Sequence, residues 1–158
     1  LTSYSDIIFD KNILQSMLDF KGDIGIAVDL DWERNYFNRI QHPKSQADNV
    51  LMENNKILKI KKNIKESKSA HNIGEFIGLM KLSKKGAKVF VEKFNNLMKF
   101  HEGEFHDAPS IKKAYLTDMI QELIDSGFLV EPIIINGKWH EIDTPEDLQT
   151  VRKNIKYF

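Results

Sequence analysis

The 158-residue sequence contains no cysteine, which excludes disulfide frameworks, thiolate zinc sites and a cysteine nucleophile. It also lacks net charge, because 23 lysines and arginines balance 23 aspartates and glutamates. Without a basic excess there is no electrostatic footprint for nucleic acid or for an anionic membrane surface. No apolar run approaches the roughly 20 residues that span a bilayer. The eight glycines form neither a Walker loop nor a dinucleotide fingerprint, so the phosphate loop of a complete nucleotide enzyme is missing. The five histidines show no metal-ligand spacing on a common helix. What remains is an ordinary cytoplasmic-type composition, 41% hydrophobic and 29% charged, which supports a packed core.

Hydrophobic spacing predicts a helix over 10–20, capped by Asp10, with Phe9, Ile13, Leu14, Met17 and Leu18 on one stripe. Ile24, Ile26 and Val28 mark a short buried strand ending in Asp29-Leu30-Asp31. Residues 31–49 are polar and aperiodic, and read as a long ordered binding loop. Val50 to Glu53 and Lys56 to Ile60 flank Asn54-Asn55 as a hairpin. A lysine-rich stretch over 61–72, expected to be mobile at its centre, precedes a strand from Ile73 to Leu82. Ser83 caps a helix to about Phe100 whose apolar face is Ala87, Phe90, Val91, Phe94, Leu97 and Met98. A second helix is expected from Pro109-Ser110 to Ser126, stopped by Gly127. Phe128 to Ile135 and Lys138 to Ile142 are expected to pair as a hairpin about Asn136-Gly137. Thr144-Pro145-Glu146-Asp147 opens a last helix, docked by Leu148, Val151 and Ile155. The alternation indicates one α/β or α+β domain over 1–158.

Several residues in this frame invite chemistry. Asp6 is expected at the C-terminal end of a strand just ahead of a helix, the edge where open α/β sheets bind ligands; it could equally cap a turn. Asp29 and Asp31 lie near Trp32, Arg34 and Arg39, a mixture suited to a phosphorylated and perhaps cationic ligand or, equally, to a self-paired loop. Glu75 interrupts an apolar strand, so it either faces solvent or has a defined partner. Asp118 raises the same question on its helix. In a strand register, Trp139, Glu141 and Asp143 share one face while His140 and Ile142 share the other. Those carboxylates could hold a magnesium ion; Asp143 could instead cap the helix that follows.

Ser5-Asp6-Ile7-Ile8-Phe9, Val28-Asp29-Leu30-Asp31-Trp32, Asn72-Ile73-Gly74-Glu75-Phe76-Ile77-Gly78-Leu79, Ala114-Tyr115-Leu116-Thr117-Asp118 and Trp139 to Leu148 occur in this order. Taken together they resemble the second half of the sugar-phosphate nucleotidyltransferase-like proteins. The nearest branch in flavour holds phosphocholine cytidylyltransferases and the NTP-transferase domains attached to phosphoenolpyruvate mutases. The resemblance implies a Rossmann-like mixed-sheet nucleotidyltransferase fold, of which this chain is the C-terminal portion and the Gly-rich nucleotide half is absent.

It further implies Mg2+ bound by Asp6 and Asp143 as the catalytic pair. Trp32, Arg34, Glu75, Asp118, Trp139 and Glu141 would line the acceptor pocket. Lys62 would contact phosphate, although Lys59 and Lys61 compete for that match. The partners implied are a nucleoside triphosphate and a small phosphorylated or phosphonate acceptor such as phosphocholine or 2-aminoethylphosphonate. A sugar 1-phosphate is the alternative acceptor, and a non-catalytic interaction or regulatory module is the alternative to an enzyme. The incomplete fold would leave apolar surface that favours a homodimer, and the chain alone would have little activity.

Overall fold

The computed structural model describes residues 1–37, 39–65 and 72–154. The middle of the lysine-rich stretch and the docking position assigned to Ile155 lie outside them. Among the described residues, eight strands and four α-helices follow in order: β1 (Thr2–Ser3), β2 (Ile7–Phe9), α1 (Lys11–Asp19), β3 (Ile24–Asp29), β4 (Asp48–Glu53), β5 (Lys56–Lys62), β6 (Asn72–Leu82), α2 (Lys84–Phe100), α3 (Leu116–Asp125), β7 (Glu131–Ile135), β8 (Trp139–Glu141) and α4 (Pro145–Asn154).

The main sheet runs β5-β4-β6-β3-β7, with β1 added to β6. Among the described residues only β3 and β7 pair in parallel, and β2 pairs with β8 in a separate two-stranded ribbon. Every residue of β3 is buried because neighbours flank it on both edges and helices cover both faces. One core packs Ile26, Val28, Val50, Phe76 and Met80 against Met119, Ile120 and Leu123 of α3, with Phe90 and Leu97 of α2 at its margin. The opposite core joins Ile13 and Met17 of α1 to Ala27, Ile77, Leu79, Ile133 and Trp139. The result is a sheet between two helical layers.

The long strand β6 positions the site. Its first residues pair with β4 as far as Glu75, opposite Asn49, and its later ones pair with β1 from Leu79, opposite Ser3. Both partners lie on the same edge, because β3 takes the other. Among the described residues, 76 and 77 are therefore left without a partner on that edge, while the Gly78 carbonyl accepts from the Tyr4 N–H at 3.0 Å. At Gly78 the backbone enters the left-handed region (φ 80°), and a β-carbon there would collide with the Tyr4 ring.

Local signals account for most elements. The Asp10 side chain accepts from the Asn12 N–H at 2.7 Å to open α1, and Ser83 Oγ accepts from the Gly86 N–H at 3.0 Å to open α2. Asn54 and Asn55 both take positive φ in the β4–β5 turn. Gly127 ends α3 with φ 81°.

Four expectations need correction. First, 128–135 and 138–142 do not form a hairpin. β7 lies beside β3, and its next edge is turned away from β8, which pairs instead with β2 (Ile8 opposite His140). The reversal at Gly137 and Lys138, both at positive φ, leads out of the main sheet rather than back along it. Second, Asp6 stands between β1 and β2 rather than directly ahead of a helix, its carbonyl accepting from the Ile142 N–H at 2.8 Å. Third, α3 begins at Leu116 because the Asp118 carboxylate accepts from the Tyr115 N–H at 2.8 Å, while 111–113 form a separate 3₁₀ turn. Fourth, only part of the α2 stripe is covered: Val91, Phe94 and Met98 remain exposed.

Gly86 illustrates a glycine retained against helix propensity. A β-carbon there would overlap the backbone carbonyl of Asp23, which also accepts from the Ser83 N–H at 2.9 Å. We expect Gly86→Ala to destabilise the fold by about 1–3 kcal/mol, although alanine is the better helix former. Urea unfolding of the two proteins checks the sign.

Candidate active site

A cleft of about 270 Å³ opens over the unpaired stretch of β6. It is lined by Tyr4, Asp6, Tyr36, His42, Asp48, Lys62, Glu75, Tyr115, Trp139, Glu141 and Asp143, together with Gln46, Phe76 and Ile77. The β2–β8 ribbon brings Trp139, Glu141 and Asp143 to the same wall, as their alternation requires. Asp6 joins them from the segment that pairs across at Ile142. The 3₁₀ turn at 32–36 and the loop after it supply Tyr36 and His42.

A buried ion pair anchors this loop. Arg39 Nε donates to Asp147 Oδ1 at 2.6 Å and its terminal nitrogen donates to Oδ2 at 2.9 Å. Asp147 also accepts from the N–H groups of Asp143 and Thr144 and from the Thr144 hydroxyl, while its own N–H donates to that hydroxyl. This is a reciprocal cap on α4. Asp147 therefore does the capping, and the Asp143 carboxylate is left to the cleft. There it meets His42 Nδ1 at 2.6 Å, and Arg39 stands 3.5 Å from both Asp143 and Glu141.

Glu75 has a defined partner rather than a solvent-facing position. It is 3% exposed, accepts from the Tyr36 hydroxyl, and its second oxygen has no partner. Burial pushes its carboxyl up to about 8, against the opposing pull of the Tyr36 hydrogen bond and with the help of neighbouring acids. Burial and the adjacent Asp143 charge raise Glu141 to about 7, Arg39 opposing. Burial likewise raises Asp48 to about 6, offset in part by Lys62. Asp147 behaves oppositely: its own burial is outweighed by hydrogen bonds from Arg39 and Thr144, which hold it at about 2. Burial, then Arg39, lowers His42. The cleft thus holds five carboxyl groups against one lysine. Such crowding is relieved by a cation, and oxygen donors suit a hard divalent ion. His42, Glu141 and Asp143 offer one donor atom each within 4.8 Å of one another, so the residues present fit such an ion.

Of the residues singled out in the sequence, Asp6, Lys62, Glu75, Trp139, Glu141 and Asp143 line the cleft together. Lys62 donates to Gln46 at 3.2 Å, whereas Lys61 pairs with Asp107 at 3.0 Å, which separates the competing lysines. Three of the residues expected to line the acceptor pocket do not line it. Trp32 is buried against Tyr36 and Ala47, and its indole donates to the Ile73 carbonyl at 3.2 Å. Arg34 is an exposed partner of Asp31. Asp118 is occupied as the α3 cap and opens onto a neighbouring groove with Tyr115 and Lys62. Asp29 is structural: fully buried, it accepts from the Asp31 and Gly137 N–H groups, each at 2.9 Å, and from the Trp139 indole at 2.7 Å. Arg39 was read as part of a phosphate-suited mixture, and Tyr36 and His42 fall in the stretch read as a binding loop, but none of the three was given a place in the site; Tyr4 and Asp48 escaped the sequence reading. Tyr4 was within reach, since alternation puts it on one face with Asp6; the loop residues carry no periodicity to mark them.

No family model matches the chain. It is 26% identical over 153 residues to the CTP:phosphoglutamine cytidylyltransferase of Campylobacter jejuni, covering 94% of this chain and 57% of that protein. Its backbone matches the inositol-1-phosphate CTP transferase of T. maritima at a TM-score of 0.63 and 22% identity, over 98% of this chain and 54% of the other. The chain has the nucleotide-diphospho-sugar transferase fold. A structure described as a glucose-1-phosphate thymidylyltransferase of Bacillus anthracis, in complex with sucrose, aligns at 0.53 and 16% identity, over 94% and 51% of the two chains. The chain spans about half the length of each of these nucleotidyltransferases. Among the described residues, no helix is long and apolar enough to cross a membrane.

Two expectations follow from these electrostatics. The folded value of Asp147, about 2, lies below the ordinary 3.8. Its stabilisation is therefore complete above about pH 4 and is lost as pH falls through about 2. Replacement by asparagine should cost about 3–5 kcal/mol near pH 7 by stranding Arg39, and should flatten the acid slope of urea-measured stability. For Glu75 the sign reverses. Its folded value of about 8 exceeds the ordinary 4.5, so stability falls as pH rises between them. Glu75→Gln should raise Tm by at least about 3 °C at pH 8 and leave it unchanged near pH 4.5.

Proposed function

We propose that this chain forms the metal- and acceptor-binding side of a cytidylyltransferase. The observation that carries the reading is the meeting of Asp6, Glu141 and Asp143, from distant parts of the chain, in one cleft beside Glu75, Tyr36 and Trp139. Two of the similar proteins are named for CTP, which favours cytidylyl transfer. Their acceptors differ, so the acceptor class is read from this chain's own lining.

Asp6 and Asp143 hold Mg2+, which when bound neutralises the negative charge of the phosphates that meet there. Lys62 contacts a phosphate from the opposite side. A phosphate or phosphonate oxygen of the acceptor attacks the α-phosphorus of CTP, the bond to the bridging oxygen of the β-phosphate breaks, and pyrophosphate leaves. The protein's task is positioning and charge neutralisation, with no covalent nucleophile. Tyr4, Tyr36 and Trp139 supply aromatic surface and Glu75 a carboxyl group, a combination suited to an acceptor with an amine or quaternary ammonium, such as 2-aminoethylphosphonate or phosphocholine. The nucleotide is held by a Gly-rich segment that these 158 residues do not contain.

Pyrophosphate release from CTP tests this, with phosphocholine, 2-aminoethylphosphonate and glucose 1-phosphate as acceptors. The chain alone is expected near background, and the same chain preceded by a Gly-rich nucleotide-binding segment is expected to turn over an amine-bearing acceptor best. Asp6→Asn and Asp143→Asn should each lower that rate by about 10²-fold or more with the fold intact. Robust turnover by the chain alone refutes the external nucleotide segment. Near-normal turnover by either variant refutes its metal role, and preference for glucose 1-phosphate refutes the acceptor class.

A further inference from the structure

We propose that His42 is a nitrogen ligand of the metal centre, beside Asp143 and Glu141, and that the centre takes Mn2+ more tightly than Mg2+. The inference rests on the metal clause of the function above and adds His42, with Glu141, and an ion preference to it.

The geometry is that of a ligand set rather than of a chance surface contact. His42 Nδ1 lies 2.6 Å from Asp143 Oδ2, and its other ring nitrogen lies 3.9 Å from Glu141 Oε2. Neighbouring donors around an ion that each sit about 2.1 Å from it are about 3 Å apart. One donor atom from each of the three residues lies within 4.8 Å of the other two, close enough for them to converge on one ion. His42 is held in place: its ring packs at 6.3 Å from that of Tyr36, which is itself fixed by its hydroxyl bond to the buried Glu75. The cation already present does not occupy the position. Arg39 directs its short hydrogen bonds, 2.6 and 2.9 Å, at Asp147 and stands 3.5 Å from the two cleft carboxylates. It approaches the same two oxygens, Asp143 Oδ2 and Glu141 Oε2, only at that longer distance, as partners that orient metal-binding groups do. Glu75 gives a second sign that the cleft receives a ligand, since it lines the same space almost wholly buried and with one oxygen unpartnered.

The donor chemistry sets the ion preference. Mg2+ favours an all-oxygen octahedron and retains its water reluctantly exchanged, whereas imidazole nitrogen suits first-row transition ions, of which Mn2+ also accepts carboxylates. Adding one imidazole to two carboxylates therefore strengthens Mn2+ more than Mg2+.

The test titrates the 158-residue chain with MnCl2 and with MgCl2 by calorimetry, and records the pulsed electron spin echo modulation of bound Mn2+, which reports a directly coordinated nitrogen. We expect Mn2+ to bind at least about tenfold more tightly than Mg2+, with a nitrogen coupling. His42→Gln should remove that coupling and weaken Mn2+ by about tenfold or more, while Mg2+ shifts less than about threefold. His42→Asn, with circular dichroism on both variants, guards against an effect of misfolding. Absence of the nitrogen coupling in the unaltered chain overturns the proposal, as does an equal loss for both ions, or no Mn2+ binding. Asp143→Asn separates the levels. If it abolishes binding while His42→Gln does not, the histidine ligand fails and the metal reading stands; if it leaves both ions bound as before, the metal reading itself fails.

Discussion

Arg39 and Asp147 are 108 residues apart in sequence and form a two-point ion pair in the interior. Each half of the pair is also committed elsewhere. Asp147 closes the start of α4 and receives the N–H of Asp143; Arg39 carries the loop that delivers Tyr36 and His42. A charge buried in this way is tolerable only when its partner is present, because desolvation alone costs several kcal/mol. The pair thus ties the aperiodic loop to the β8–α4 junction, and the aromatic side of the cleft to its acidic side. Beside it the loop is held by the Ile40 and Gln41 N–H groups on Glu146, both at 3.0 Å, by the Tyr36 hydroxyl on Glu75, by His42 against Asp143 and by the packing of Trp32 and Tyr36.

A second constraint is electrostatic. The cleft collects acids on a chain whose total charge is zero. Carboxyl groups in such a place either acquire cations or hold their protons more tightly, and burial raises Glu75, Glu141 and Asp48 in the second direction. Such displaced groups gather where a site is built for a charged visitor rather than for stability.

The elements legible in the sequence were those whose cause is local. Asp10 and Ser83 cap their helices, Asn54-Asn55 turns the β4–β5 hairpin, and Gly127 stops α3, each from side-chain or backbone preferences within a few residues. The alternation of Trp139, Glu141 and Asp143 was readable for the same reason. What failed was non-local. Nothing in residues 128–142 says that β8 leaves β7 for β2, since either pairing satisfies the same alternation. Trp32 and Arg34 lie near the right carboxylates in sequence, yet the 3₁₀ turn rotates one into the core and the other into solvent. Arg39 and His42 lacked any periodic signal, and their importance arises only when α4 arrives. The ordered motifs led to the nucleotidyltransferase fold, whereas the composition of the cleft needed coordinates.

The β2–β8 ribbon has a consequence for how the site comes into being. Asp6 and Asp143 are brought together by strands from opposite ends of the described chain, so their approach is among the longest loop closures in the fold. Contacts of that span form late, after the sheet centre has collapsed, because their entropic cost falls on a chain already ordered elsewhere. A chain in which either of these ends is undocked lacks the cleft. A ligand that fills it therefore recognises only the finished molecule, and its binding energy is transmitted undivided to global unfolding instead of to any one segment.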